Sequence, residues 1–159
     1  MRFNRTLRAV MTQTDGTAFV VSGTAYTQYD SVGGQGMVFY GSGGGCHLMG
    51  VTIRDDAVQN EPYLIHIFRS IASTIADAAG MALTTADGDL EVGQVTVNAG
   101  DYVTANGGTH SKAYKAISAP NSEIDESSEG YFYVYLECLL TPDYAATTDL
   151  KVEFVYWIE

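Results

Sequence analysis

The last third of the chain alternates. Across residues 131–140 the even positions are Phe132, Val134, Leu136, Cys138 and Leu140, and across 150–158 they are Leu150, Val152, Phe154, Tyr156 and Ile158. A period of two sustained over such lengths makes pleated strands with one buried face, and it excludes helices, whose buried positions recur about every 3.6 residues. The odd positions read as amphipathic outer faces: Tyr131, Tyr133, Tyr135, Glu137 and Leu139 in the first segment, then Lys151, Glu153, Val155, Trp157 and Glu159 in the second. The link at 141–149 holds Pro142, Asp143 and Asp149, as a turn or short crossover should. The two segments are expected to pair antiparallel.

Strand signals continue upstream at 17–26, 36–40, 48–54, 63–68, 90–97 and 101–104. The Tyr-Leu-Ile-His-Ile-Phe run at 63–68 is apolar on both faces and reads as a central strand. The Gly-rich run 41–45 and the 98–100 turn supply punctuation, and 105–111 and 119–130 read as loops. About eight strands at such intervals predict an all-β, jelly-roll-like sandwich or barrel. One short helix is expected at 70–79, where alanines favour it, Ile71, Thr74 and Ile75 weaken it, and Gly80 stops it. With 159 residues, 17 Gly, 11 Tyr and only 17% charged side chains, the composition suits one β domain of short strands and tight turns. The domain is expected to span 13–159, preceded by a basic arm at 1–12.

Charge separates that arm from the body. Arg2, Arg5 and Arg8 precede every acidic residue, so the chain after them carries five basic and nineteen acidic side chains, a formal −14 against −11 for the whole. An acidic body argues against nucleic acid as a partner, since phosphate binding needs clustered Lys and Arg. The arm is open to two readings, a docking element or a frayed end with solvated arginines. No run is long and apolar enough to span a membrane, and Met1 to Val10 lack the apolar core of a signal peptide. Cys46 and Cys138 could form one disulfide, but a free buried thiol is the commoner state for Cys138 in its strand.

No catalytic, cofactor or metal site is expected. Cys46 and His47 are sequence neighbours, and neighbours on a strand point to opposite faces. His47, His66 and His110 lack metal-ligand spacing, and His66 reads as a hydrogen-bonded core or interface histidine. Asp87, Gly88, Asp89 and Glu91 lack the full spacing of a calcium loop and read as an exposed acidic turn. Tyr133, Tyr135 and Trp157 are the interface candidates, because aromatics with a polar handle concentrate at interface centres; cover by the same chain is the competing reading.

Residues 25–97 resemble the decoration, or cement, proteins of tailed-bacteriophage capsids. The resemblance lies in Ala25-Tyr26, in Tyr29-Asp30-Ser31-Val32-Gly33-Gly34 and in Leu48-Met49-Gly50-Val51-Thr52-Ile53 with Asp55. It continues through Pro62 into Leu64–Phe68, Ile75-Ala76-Asp77, Leu83 to Asp87, and Val92-Gly93. It covers slightly under half the chain, and the N-terminal arm departs from it. It implies a structural virion protein, made in the host cytoplasm and bound to the outside of an icosahedral head. There it would sit as a homotrimer on the major capsid protein, with no enzyme activity, nucleic acid or membrane involved. The alternatives are a carbohydrate- or receptor-binding module of a phage tail or fibre, and more remotely a small β-fold enzyme using His47 or His66. If the arm docks on an acidic capsid surface, reversing the charge of Arg2, Arg5 and Arg8 together weakens capsid binding in a salt-sensitive way. Unchanged binding removes the arm from the docking surface.

Overall fold

The computed structural model describes residues 6–23, 25–41, 44–70, 73–105, 107–118, 123–124 and 130–158. Among these residues eleven strands are present: β1 (Thr6–Val10), β2 (Thr12–Gln13), β3 (Ser31–Phe39), β4 (Cys46–Asp55), β5 (Tyr63–Phe68), β6 (Glu91–Val97), β7 (Tyr102–Thr104), β8 (Ser111–Ala116), β9 (Glu123–Ile124), β10 (Tyr131–Cys138) and β11 (Leu150–Ile158). They form two antiparallel sheets. The six-stranded sheet runs β1-β11-β4-β8-β7, with β9 also paired to β4, and the five-stranded sheet runs β2-β3-β10-β5-β6. The molecule is a β-sandwich.

The two alternating segments do not pair with each other. β10 pairs with β3 and β5, β11 pairs with β1 and β4, and the two strands lie in opposite sheets. Their even faces meet across the interior, where Phe132 sets its ring edge-to-face on Phe154, with centroids 5.1 Å apart and planes at 84°. Val134, Leu136, Cys138, Leu150, Val152 and Tyr156 complete that contact within one continuous core.

Further differences from the sequence reading have physical causes. The described residues among 17–26 form no continuous strand. They cross the mouth of the sandwich with Phe19, Val21 and Tyr26 buried, held by isolated bridges from Ala18 to Thr12 and from Ala25 to Asp143. The expected arm is part of the sandwich from Thr6 on, because β1 pairs with β11 along its length and Leu7 and Ala9 pack on the core. β8 lay partly in an expected loop: only Ala113 and the small Ser111 fill its inward positions, so its apolar signal is weak.

The described part of the expected helix, 73–79, is not helical either. Its backbone groups are drawn into tertiary bonds. Ile75 N–H donates to the Tyr135 hydroxyl at 3.0 Å, that hydroxyl donates to Ser73 C=O at 2.7 Å, and Ala78 N–H donates to Ser31 C=O at 2.9 Å. Within the segment a single α-helical turn, Thr85–Gly88, follows, capped by Thr84. Residues 73–90 thereby form a strap across the outside of the five-stranded sheet. Ile75, Ala79, Met81, Leu83 and Leu90 lie over Phe68, Tyr133 and Tyr135 as a second, smaller apolar cluster.

Two aspartates anchor the strap. Asp77 accepts from the Gly33 N–H and the Tyr26 hydroxyl, each at 2.7 Å. Gly33 lies at φ +75°, and a Cβ there would fall 2.2 Å from the Phe19 ring, so both conformation and space demand glycine. Asp87 was read as part of an exposed acidic turn but is buried, because the strap folds its carboxylate inward. One oxygen accepts from the Ser73 N–H at 2.6 Å, the other from Thr84 N–H at 2.7 Å and the Thr84 hydroxyl at 2.8 Å.

Backbone donation from Thr84 and Ser73, with the Thr84 hydroxyl, holds the Asp87 carboxyl well below its usual range. A lowered carboxylate stabilises the fold fully above its unfolded value, about 3.9, and that contribution is lost as pH falls from there toward the folded value. The strap amides of Ile75 and Ala78 are therefore expected to lose hydrogen-exchange protection, relative to β5, below about pH 4. Asp87→Asn should show the same loss already near neutral pH. Equal protection of strap and β5 throughout would show that Asp87 does not hold the strap.

Candidate functional site

The sandwich has two outer faces, and they differ in kind. On the five-stranded sheet the strap covers Phe68, Tyr133 and Tyr135, while Phe39 at the end of β3 stays exposed beside Tyr131. Tyr133 is 7% exposed and Tyr135 fully buried, so these two interface candidates are corrected to intrachain core. Beside them the buried His66 is clamped between strands. Its Nδ1 lies 2.8 Å from Glu91 Oε1 on β6, and its Nε2 lies 2.8 Å from Glu137 Oε2 on β10. Both ring nitrogens are committed, on opposite edges of the ring, so His66 offers neither a free base nor one side of a shared metal site. It acts as a cross-strand tie, as the sequence reading of a hydrogen-bonded histidine anticipated.

The outer face of the six-stranded sheet has no such cover from the described residues. Inward positions on β4 and β11 belong to the core, which turns Lys151, Glu153, Val155 and Trp157 outward beside His47, Met49, Thr52 and Arg54. Lys112 and Tyr114 of β8, Val103 of β7, and Arg8 and Val10 of β1 extend the face on either side. Its exposed apolar groups are Val10, Met49, Val103 and Tyr114. The Tyr114 ring lies directly over Gly50, where any Cβ would fall 2.5 Å from its hydroxyl oxygen. A β-bulge in the β4–β11 pairing at that level, between Val155 and Tyr156, leaves Gly50 opposite Val155. At one end Trp157 stacks on His47, centroids 4.0 Å apart and planes 14° from parallel, with Glu123 of β9 opposite His47.

Cations gather on this face. Arg8, Arg54, Lys112 and Lys151 are four of the eight basic residues of a chain with net charge −11. Arg8 pairs with Glu153 at 2.8 Å and Arg54 with Asp56 at 2.6 Å. A shallow groove of about 220 Å³ runs between Val10, Thr52, Arg54, Lys112, Lys151 and Glu153.

The remaining sequence candidates fall as follows. Arg2 and Arg5 lie outside the described residues, and Arg8 belongs to the sheet face. Trp157 is the one aromatic candidate of the three on the open face, half-covered by its stack with His47. Cys46 and Cys138 are free thiols buried in opposite sheets, pushed up to about 12 and about 11 by burial. Among the described residues no group of three or more His, Cys, Asp or Glu side chains could hold a metal ion. No helix among them is long and apolar enough to cross a membrane. No family model, curated protein or solved structure matches the chain.

The role given to His66 is testable. His66→Leu leaves two largely buried carboxylates facing each other without a bridge, and is expected to cost on the order of 2 kcal/mol of unfolding free energy. Chemical denaturation measures it. A variant as stable as the parent would show that the tie contributes nothing.

Proposed function

We propose that the chain is a non-catalytic structural part, a decoration protein of a tailed-phage capsid, which docks through the open face of its six-stranded sheet. The observation carrying this reading is the contrast between the two outer faces: the strap covers most of one, leaving Phe39 exposed, and the other presents Val10, Met49, Val103 and Tyr114 among four cations. Five adjoining strands, spaced about 4.8 Å with a rise of about 3.3 Å per residue, give a face of roughly 500 Å² in projection. Side-chain relief adds to that, which brings it close to the roughly 800 Å² per partner of a standard protein interface. Supporting the reading are the sequence resemblance over residues 25–97 and a body whose acidity keeps it away from packaged DNA. The capsid exterior, the major capsid protein as partner and a trimeric state belong to this same proposal.

The test is co-sedimentation with empty heads built from the major capsid protein encoded in the same genome, with light scattering for the mass of the free protein. Saturable binding that Tyr114→Glu weakens by about tenfold supports docking through this face. Absence of binding by the parent protein rejects the decoration role.

One observation favours a second reading, a carbohydrate-binding module. Tyr114 is 56% exposed and rests against Gly50, an exposed ring on which a sugar could stack. Glycan binding that is lost in Tyr114→Ala, together with no affinity for heads, would establish that reading instead.

A further inference from the structure

Strand register places three cations in one row. Lys151 of β11 is directly opposite Arg54 of β4, and Arg54 is directly opposite Lys112 of β8. Directly opposed residues share a face and stand closer together than any other cross-strand pair, and like charges there are destabilising. Asp56 compensates Arg54 at 2.6 Å, whereas Lys112 and Lys151 are both exposed at the ends of the row. The cost falls where the chain has fewest cations to spare. Three of the eight basic side chains stand in this one line, and the groove they line is completed by the neighbouring row on the same face, Val10, Glu153 and Thr52, where Glu153 is held by Arg8.

We propose that the Lys151–Arg54–Lys112 row is a recognition site for an acidic polypeptide segment in extended conformation. This names the partner chemistry of the docking face described above and rests on that reading for the face it uses. Spacing fixes the stoichiometry. Two strand intervals make the row about 9.5 Å long, while alternate side chains of an extended peptide are about 6.6 Å apart. Two carboxylates fit over the row and a third overshoots it. Two is also the number of cations left after Asp56 partners Arg54. Nucleic acid fits poorly, because its affinity grows by neutralising many phosphates, and the body around this short row is acidic.

The experiment is fluorescence anisotropy of a labelled peptide with Glu at alternate positions, titrated with the full chain at low and at physiological salt. The expected result is binding that weakens with salt and falls by about tenfold in Lys112→Glu/Lys151→Glu. Arg69→Gln, which removes a cation outside the row, should bind as the parent does. Lys112→Gln should melt higher than the parent at low ionic strength, with the gain closing as salt is added, because it relieves the row's repulsion. Binding indifferent to the double reversal, an equal loss in Arg69→Gln, or a preference for a sulfated glycan or single-stranded DNA over the peptide each overturns the proposal. Heads that bind while the peptide does not would sink this inference and leave the docking face standing. Peptide binding without head binding would do the opposite.

Discussion

The edge-to-face contact between Phe132 and Phe154 is the joint on which the architecture turns. It belongs to the facing of two strands, β10 and β11, whose even positions are all apolar or thiol and therefore have to leave water together. Once those faces close on each other, β10 and β11 lie in different sheets; β3 and β5 pair with the first, β1 and β4 with the second, and the other strands add outward from these. Burial of such side chains contributes about 1.5–3 kcal/mol each, far more than any single cross-strand pair. The interior thus decides the arrangement, and the two outer faces take what remains.

What remains is unequal. The odd face of β10 carries tyrosines, which need cover, and the strap covers Tyr133 and Tyr135 and bonds the Tyr135 hydroxyl twice. The odd face of β11 carries Lys151, Glu153 and Trp157, all at least partly in contact with water, and only Val155 among them is buried. The same period-two device therefore yields a largely covered face and an open one, and the difference lies in the chemistry of a few outward side chains. His66 serves the covered side in the same sense, tying β5, β6 and β10 through two carboxylates while keeping charge off the surface.

The individual strands were legible because alternation is a local property. β5 is bounded as expected, and β4, β6, β10 and β11 agree to within a few residues. Alternation does not say whether two strands lie side by side or face to face, and for β10 and β11 the side-by-side expectation was the wrong one. The 70–79 helix failed because propensity was outweighed by bonds to Tyr135 and Ser31, which are remote in sequence. The cation row was invisible for the same reason. Residues 54, 112 and 151 become neighbours only through the register of three strands, and Lys112 lies in β8, which was mostly unassigned. A weak signal did exist there: Ser111, Ala113 and Lys115 alternate with Lys112, Tyr114 and Ala116 as small or amphipathic against outward residues.

The two cysteines carry a consequence of their own. Cys46 lies in one sheet and Cys138 in the other, each fully buried and held as a neutral thiol far above the usual range. A thiol in that state is a poor nucleophile, so neither reacts until water reaches it. For both to be modified the sandwich has to part, which turns the pair into a built-in clock for the separation of its sheets. The slower of the two would time the opening of the half that lets go last.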